Sequence, residues 1–366
     1  MIPQFDPKEL TVVGEKASFF PGAGLPLYDF PVTPSEAYRG LYTGEPIWQV
    51  SGLEYTMFAP RVNPDNVARA MVVDGSPFEG APTGGLDMFG IEWEFIPQVG
   101  GSIVHPGKPL FTDANDWEKK IKWPDVDSWD WAASSKQNRN YLGDFYWNQC
   151  WFQNGWFERL ISFMDFEPAL MALFDEDQRD AVKALFDSLA DLYINILDHH
   201  FHYFPKINEM YMHDDWGAQK ETFFSPELCE EMIVPSMRKV TDFIHSKGRF
   251  AQLHSCGQIK KQVPNMIKAG WDVWSGQAMN DSQGIYELYG GNIVIGVAPD
   301  AFDPESLSED EQRERARDYV RRFCKPEKPS MFGMYWTAER NGAEALTPAF
   351  REELYRASRE AYGAGG

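Results

Sequence analysis

The 366-residue chain has no uninterrupted apolar run of the ~18 residues that identify a membrane-spanning helix. Its first residues, MIPQFDPKEL, do not combine a basic segment with an apolar one, so we predict no signal peptide. The four cysteines are too few and too widely spaced to indicate a disulfide framework. Together these absences predict a cytoplasmic protein with no membrane partner.

Basic residues are also scarce, with 34 Lys and Arg against 55 Asp and Glu and a net charge of -21. Because nucleic acids are bound largely through Lys and Arg contacts to phosphate, this balance argues against a nucleic-acid partner. The apolar fraction of 43% is ordinary for a globular protein, and the length suits one large α/β domain or two smaller ones. The aromatic fraction of 15% is high, which favours a pocket lined by rings or a large core.

Strand-like and helix-like segments alternate along the second half of the chain, with turn residues at each junction. Five apolar segments there each precede a helical pattern: INEMYMHDDWG, RFAQLHSCG, WDVWSGQ, NIVIGVAPD and SMFGMYWTA. Two strand-like segments lie upstream, EPIWQVSG and DFYWNQCWFQNG. This alternation is typical of a parallel sheet, and the number of units predicts an α/β protein with a (β/α)8 TIM barrel. No GxGxxG motif follows a strand, which disfavours an open, doubly wound dinucleotide-binding sheet.

The segment GLDMFGIEWEFIPQVGGSIV alternates apolar and polar residues and predicts a hairpin insertion. We predict that residues 1–45 form an N-terminal extension packed on the barrel and that residues 46–366 form a single barrel domain.

Polar residues follow the predicted strands at the ends where a TIM barrel carries its active site. They supply most of the candidate functional residues, which are His213, Asp214, Asp215, Trp216, His254, Cys256, Gln277, Tyr335, Trp336 and Glu339.

The segment LHSCG places His254 and Cys256 two residues apart. Side chains in a strand alternate between faces, so these two point the same way, and an imidazole beside a thiolate is a natural pair of zinc ligands. The other interpretation is a buried cysteine beside a hydrogen-bonded histidine. Glu92 and Glu94 also share a strand face, which suits an acid–base pair, a metal ligand or a solvated edge. Arg61 is a candidate anchor for an anionic substrate, or else a partner in a structural ion pair.

The segment from Met212 to Ile259, MHDDWGAQKETFFSPELCEEMIVPSMRKVTDFIHSKGRFAQLHSCGQI, resembles the uroporphyrinogen decarboxylase superfamily. The resemblance rests on its DD-x-G, SP, P and H-x-CG pattern. In the first half, FAPRVNPDNVARA, GGLDMFGIEWEFIP and WPDVDSWDW look like the methyltransferase I components of corrinoid-dependent aryl O-demethylases. The chain does not resemble the N-terminal arginine-rich motif of the true decarboxylase.

This resemblance implies a (β/α)8 barrel that moves the methyl group of a vanillate- or guaiacol-like phenyl methyl ether to the cob(I)alamin of a separate corrinoid protein. It also allows two barrels to pair as a homodimer. In the related coenzyme M branch, the H-x-C pair binds zinc together with a later cysteine. Carried over, the pair is His254 and Cys256, but no cysteine lies near MFGMYWTA. Either another residue, such as Glu92, Asp214 or Glu339, completes the site, or the metal dependence of this branch differs.

The resemblance further implies roles for the other candidates. Asp214, Asp215 and Glu92 are expected to complete the metal site or to supply the proton that the leaving oxygen takes up. The residues expected to hold the substrate are Arg61, His213, Trp216, Gln277, Tyr335 and Trp336. Three alternatives stay open: a cofactor-free decarboxylase with arginines around its pocket, methyl transfer linked to a thiol, and a barrel that binds a ligand without turnover.

Overall fold

A computed structural model describes residues 4–16, 25–50, 54–76, 84–97, 101–300, 302–303, 306–333 and 347–363. The chain divides into two compact units. The first comprises residues 1–55, 144–147 and 272–366, and the second comprises residues 56–143 and 148–271. The predicted boundary between residues 45 and 46 stays a prediction.

The strands of the described residues are β1 (Val12–Lys16), β2 (Leu25–Tyr28), β3 (Tyr55–Phe58), β4 (Gly84–Leu86), β5 (Glu92–Ile96), β6 (Gly101–Val104), β7 (Trp147–Phe152), β8 (Glu209–His213), β9 (Phe250–His254), β10 (Val273–Trp274), β11 (Val294–Val297) and β12 (Met331–Phe332). The α-helices are α1 (Pro34–Thr43), α2 (Pro64–Ala68), α3 (Trp117–Lys120), α4 (Trp131–Gln137), α5 (Trp156–Met164), α6 (Phe166–Phe174), α7 (Arg179–Tyr203), α8 (Pro226–Met232), α9 (Val234–Ser246), α10 (Val263–Lys268), α11 (Ser282–Tyr289), α12 (Glu309–Phe323) and α13 (Pro348–Gly363). Short 3-10 helices span Pro7–Leu10, Ala114–Asp116, Val126–Ser128 and Lys260–Gln262.

The fold is of the α/β (β/α)8 class, as the alternation of segments predicted. Seven strands lie in one sheet in chain order, β3, β7, β8, β9, β10, β11 and β12. Each of the five predicted strand segments of the second half contains one of them. The strand predicted over residues 45–52 is wrong for residues 45–50, which the structure describes as non-strand, and β3 begins later, at Tyr55.

In the second unit, β7, β8 and β9 pair in parallel, and their register decides which side chains meet. Phe152 lies opposite Met212, and His213 lies opposite His254. Most residues of β8 and β9 are buried, because helices cover a parallel sheet on its outer face. The register therefore brings the last residues of two neighbouring strands side by side.

The hairpin insertion predicted for this unit is a three-stranded antiparallel sheet in the order β4, β5, β6. The side chains of β5 alternate as predicted: Trp93 is buried, whereas Glu92 and Glu94 are exposed. The indole of Trp93 donates to Asp87 in the turn between β4 and β5 (3.0 Å). The face of this three-stranded sheet that carries Trp93 is therefore buried, and the face that carries Glu92 and Glu94 is in solvent.

The first unit contains the parallel pairs β10–β11 and β11–β12 and the antiparallel pair β1–β2. Helices α12 and α13 pack on each other, and α12 starts with a capping box in which Ser308 and Glu311 exchange hydrogen bonds. Buried aromatic rings fill this unit, among them Trp48, Tyr38, Trp274 and Tyr286. Within the described ranges, none of the helices has both the length and the apolar character required to cross a bilayer.

Candidate metal centre

Two histidines end neighbouring strands of the second unit. His213 is the last residue of β8 and His254 the last residue of β9, and the parallel register places them opposite each other. Their rings stack with centroids 4.5 Å apart and an interplanar angle of 29°. Since the active sites of (β/α)8 proteins lie at the carboxyl ends of the strands, the imidazoles occupy the end that carries function in this fold.

The residues just beyond each histidine add an acid and a thiol. The backbone N–H of Cys256 donates to Asp215 Oδ1 (2.6 Å), which joins the two loops. Cys256 Sγ lies 3.3 Å from His254 Nε2, and His213 Nε2 lies 3.8 Å from Asp215 Oδ1. One ligand atom from each of these four residues lies within 4.8 Å of all the others. The structure thus brings together His254 and Cys256, Asp215, which the sequence analysis named as a metal ligand or proton donor, and His213, which it named as a substrate-binding residue.

A glycine after Cys256 is required by the close approach of these loops. Gly257 has a φ of +90°, and a Cβ atom there would lie 2.3 Å from the carbonyl oxygen of Gly217. No side chain fits this contact, and the left-handed backbone also favours glycine. Gly257 therefore allows the loop after β9 to fold against the loop after β8 and hold Cys256 beside Asp215.

Two charged residues, Glu158 and Arg69, are linked in series to His213. The Nδ1 atom of His213 lies 2.5 Å from Glu158 Oε2, and the other oxygen of Glu158 accepts from Arg69 (2.9 Å). Glu158 lies in the first turn of α5, directly after β7, and Arg69 follows α2. The guanidinium of Arg69 also lies 4.9 Å from the centroid of Trp93. Both oxygens of Glu158 are thus engaged, and its side chain is 9% exposed.

The pKa shifts follow from burial and from this arrangement of charge. Burial opposes ionisation of Glu158, but the charges of Arg69 and His213 outweigh it and hold the pKa of that carboxyl well below its usual range. Burial also disfavours charge on His213, yet Glu158 and Asp215 raise its pKa above the ordinary value. For His254, burial and then the charge on His213 hold the pKa well below normal.

The other two donors, Cys256 and Asp215, have raised pKa values. Burial, and then the Asp215 carboxylate, raises the pKa of the Cys256 thiol. Burial also raises the pKa of Asp215, although the positive charge on His213 opposes this. A divalent cation inverts such a balance, because a coordinated thiol loses its proton outright.

Asp214 acts as a cap for α5. Its carboxylate accepts from the backbone N–H groups of Phe157 (3.3 Å) and Glu158 (2.9 Å) and from the Trp216 indole (2.9 Å). Burial, and then the charge of Glu158, raises the pKa of Asp214 to about 7. Helix α5 has no side-chain cap of its own, so Asp214 satisfies the amides at its start. The predicted catalytic role of Asp214 stays a prediction.

A buried ion network supports the same helix. Arg159 pairs with both Asp65 and Asp87, and all three side chains are at most 1% exposed. Asn154 connects this network to the Arg69–Glu158 pair, since it donates to Asp65 (2.8 Å) and accepts from Arg69 (3.2 Å). Hydrogen bonds therefore run continuously from the turn at Asp87 to His213.

Several other predicted residues are not among the four clustered ligands. Trp216 is fully buried and packs against Phe224. Glu92 is exposed on β5 and pairs with Lys108 (3.1 Å). Arg61 makes a two-pronged ion pair with Asp74 (2.8 Å to each oxygen), the structural alternative considered from sequence.

Gln277 belongs to the first unit, where it lines a pocket of about 250 Å³ that also contains Asp281, Gln283 and Asp300. Cys324, also in the first unit, is buried and donates to Gln49 (3.0 Å). Tyr335, Trp336 and Glu339 lie outside the described residues. The substrate and metal roles predicted for these positions stay predictions.

Sequence reasoning missed Glu158 and Arg69. Glu158 follows β7 by six positions and so belongs to the same class of strand-end polar residues as the others, whereas Arg69 carries no such signal. It also missed two rings on the strand face of His213: Tyr211 stacks on Trp151 (4.2 Å between centroids) and on His254 (5.7 Å). The rings of Trp151 and Tyr211 thus lie beside His254, one of the four candidate ligands.

The four residues fit zinc, which binds imidazole, thiolate and carboxylate donors in tetrahedral sites. Bonds of about 2.0–2.3 Å at tetrahedral angles put neighbouring donors roughly 3.3–3.8 Å apart. Two separations, 3.3 Å for His254 with Cys256 and 3.8 Å for His213 with Asp215, agree with this spacing, and the other pairs of ligand atoms lie within 4.8 Å.

No protein-family model and no curated protein matches the chain. Among solved structures, a methyltransferase from Methanosarcina mazei is similar over 91% of this chain and 99% of its own, with a TM-score of 0.54 and 14% identity. A xylose isomerase-like TIM-barrel protein from Mycobacterium smegmatis, solved with magnesium, covers 62% of this chain and 78% of its own, with a TM-score of 0.31 and 11% identity. At 14% identity, the similarity to the methyltransferase supports the fold alone. The TM-score of 0.31 for the isomerase-like protein is too low to support any conclusion.

Proposed function

We propose that this protein is a methyltransferase that removes the methyl group of a phenyl methyl ether and delivers it to the cob(I)alamin of a separate corrinoid protein. One observation carries the proposal: ligand atoms of His213, Asp215, His254 and Cys256 converge within 4.8 Å at the carboxyl ends of β8 and β9. The resemblance of the HDDWG and HSCG segments to corrinoid-dependent methyltransferases supplies the reaction class.

In the proposed metal site, His213, Asp215, His254 and Cys256 would hold zinc. Because zinc can accept a fifth donor, the ion would act as a Lewis acid for the negative charge that develops on the ether oxygen. Two imidazoles and a carboxylate among the donors, with one thiolate, suit a hard oxygen substrate better than a thiolate-rich site does. This donor set favours ether cleavage over the thiol-linked alternative.

The reaction itself is a displacement at the methyl carbon. The C–O bond of the ether breaks and leaves its electron pair on the aryl oxygen, while cob(I)alamin donates two electrons to form the Co–C bond of methylcobalamin. The phenolate then takes up a proton. A phenol has a pKa of about 10, so phenolate is a poor leaving group and needs stabilisation by the protein.

The aromatic side chains beside the cluster suit the other half of the substrate. Trp151 and Tyr211 stack on each other on the strand face that carries His213. Tyr211 is buried between Trp151 and His254, whereas Trp151 is partly exposed. Offset stacking on the Trp151 ring orients an arene and places its methoxy group towards the ligand atoms. We assign Trp151 to substrate positioning and Tyr211 to holding the Trp151 ring in place.

The decarboxylase alternative receives less support from the charges. A carboxylated substrate requires arginines that are available to bind it, but Arg61, Arg69 and Arg159 each pair with one or more carboxylates of the protein. An uncharged aryl ether has no such requirement.

An anaerobic assay tests the proposal. The full-length protein is mixed with chemically reduced cobalamin and a panel of methoxylated aromatics, and the conversion of cob(I)alamin to methylcobalamin is followed by absorbance. Zinc content is measured on the same preparation. Methylthioethers and aryl carboxylates in parallel reactions, read as cobalamin methylation and carbon dioxide release, test the two alternatives.

Methylation of cobalamin by one or more methoxyarenes, in a preparation that contains about one zinc per chain, supports the proposal. Zinc-loaded, folded protein that acts only on thioethers, or releases only carbon dioxide, overturns it in favour of the respective alternative. Folded protein that binds zinc and turns over none of the panel overturns the ether as substrate.

A further inference from the structure

We infer that Glu158, held by Arg69, is a positioning residue that sets the tautomer and orientation of His213 for metal binding. The inference rests on the proposed function, because it concerns the metal site assigned there. It starts from one contact, the 2.5 Å hydrogen bond between His213 Nδ1 and Glu158 Oε2.

A neutral imidazole carries its proton on one nitrogen only, and the hydrogen bond made by that nitrogen decides which one is protonated. The carboxylate of Glu158 accepts only, so it selects the tautomer with hydrogen on Nδ1. The lone pair is then on Nε2, the atom that lies 3.8 Å from Asp215 Oδ1. A metal ligand must present this lone pair, so Glu158 prepares His213 to bind.

Arg69 keeps Glu158 in place and ionised. The guanidinium lies 2.9 Å from Glu158 Oε1 and is itself fixed by Asn154 (3.2 Å) and by the face of Trp93. The side chain of Arg69 is 12% exposed and that of Glu158 is 9% exposed, so solvent competes weakly for either group. With both oxygens engaged, Glu158 has one orientation available.

The helix beneath Glu158 is itself anchored to the same loop. The backbone N–H of Glu158 donates to Asp214 Oδ1 (2.9 Å), and Asp214 lies between His213 and Asp215 in the chain. Two hydrogen bonds thus fix the position of Glu158 relative to His213. One joins the two side chains, and the other joins the backbone of Glu158 to Asp214, which caps α5. Such a carboxylate–histidine pair behind a metal is worth about 10–100-fold in metal affinity.

The test measures zinc affinity in the full-length protein by competition with a chromophoric chelator, with Co²⁺ as a spectroscopic probe. We expect Glu158→Gln to weaken zinc binding by about 10-fold or more, because the amide selects neither tautomer. We also expect the Co²⁺ absorption bands to shift in position or intensity as His213 coordination changes. Glu9→Gln is the matched control: Glu9 is a buried carboxylate of the first unit that pairs with Arg359, so its loss should affect stability and leave zinc affinity unchanged.

A measurement on the unaltered protein does not depend on any variant folding. In the zinc-bound chain, nitrogen NMR of the His213 side chain should show a protonated Nδ1, and its hydrogen should have the downfield shift of a strong hydrogen bond to a carboxylate. The opposite tautomer overturns the inference.

The outcomes separate the inference from the proposed function. Tight zinc binding by the unaltered chain with equal affinity and an equal Co²⁺ spectrum for Glu158→Gln overturns the role of Glu158 and leaves the metal site intact. Absence of zinc and Co²⁺ binding by the unaltered chain overturns both. Weaker binding in Glu158→Gln alone, with Glu9→Gln unchanged, supports both.

Discussion

Both units of this protein bury charged side chains, but they do so in different ways. In the first unit, Glu9 accepts hydrogen bonds from Arg359 (2.9 Å to each oxygen) and from the Tyr355 hydroxyl (2.7 Å), which makes a closed pair of opposite charges. In the second unit, two imidazoles, a carboxyl and a thiol converge at His213, Asp215, His254 and Cys256. Burial and shifted pKa values are common to both regions, so neither property identifies a functional site. The convergence of metal-type donors distinguishes the second unit.

The largest effect should follow from removing a ligand atom. We expect His254→Ala or Cys256→Ala to reduce methyl transfer to cobalamin by at least about 1,000-fold, because the Lewis acid contributes several kcal/mol. Zinc content should fall with it, whereas the far-UV circular dichroism should stay the same. Full activity in both variants would remove the pair from the mechanism. Cys324→Ala is a control, since that buried thiol belongs to the first unit and bonds to Gln49.

Breaking the ion network behind the site should cost stability. Arg159→Met leaves the carboxylates of Asp65 and Asp87 buried without their partner, and we expect a loss of about 3–5 kcal/mol in the free energy of unfolding. Urea denaturation measures it. Lys239→Met is the matched control, because its ion pairs with Asp187 and Asp191 are partly exposed and are worth about 0–1 kcal/mol. Equal losses in the two variants would contradict the burial argument.

Removing the cap of α5 should have an intermediate effect. Asp214→Ala leaves two backbone amides and the Trp216 indole without their acceptor, and we expect a loss of about 2–3 kcal/mol in the free energy of unfolding. Thermal or urea unfolding checks the value. A change below about 0.5 kcal/mol would mean that water replaces the cap. Asp242→Ala is a control, as that exposed carboxylate pairs with Arg238 on the same helix face.

The smallest effect should come from titrating the closed pair of the first unit. Burial disfavours charge on Glu9, but Arg359 and Tyr355 outweigh it and lower its pKa below the ordinary 4.5. A carboxyl with a lowered folded pKa contributes stability above its unfolded pKa and loses that contribution as the pH falls. As the pH falls from 4.5 to the lowered pKa of Glu9, the free energy of unfolding of the unaltered protein should decrease. We expect this decrease to be less steep in the Glu9→Gln variant. Urea unfolding at several pH values tests it, and identical slopes in the two proteins would refute this account.

The sequence predicted those features that depend on neighbouring residues in the chain. Alternation of apolar and polar segments is sufficient to recognise the strand–helix units and the antiparallel insertion around Trp93. The spacing of His254 and Cys256 was informative because side chains two apart in a strand share a face. The strand predicted at residues 45–50 shows the limit of this reasoning, since a short apolar segment also suits a buried loop.

The sequence by itself determined the class of fold and one half of the candidate metal centre, because both follow from local periodicity. Only the tertiary structure decided the other half. The register of β8 against β9 puts His213 opposite His254, and the loop contact allowed by Gly257 brings Asp215 to Cys256. Glu158 and Arg69 lie 89 positions apart in the chain and meet only when α5 and the segment after α2 pack together. Short-range patterns in the chain carry no information about such a contact, since packing alone sets the distance.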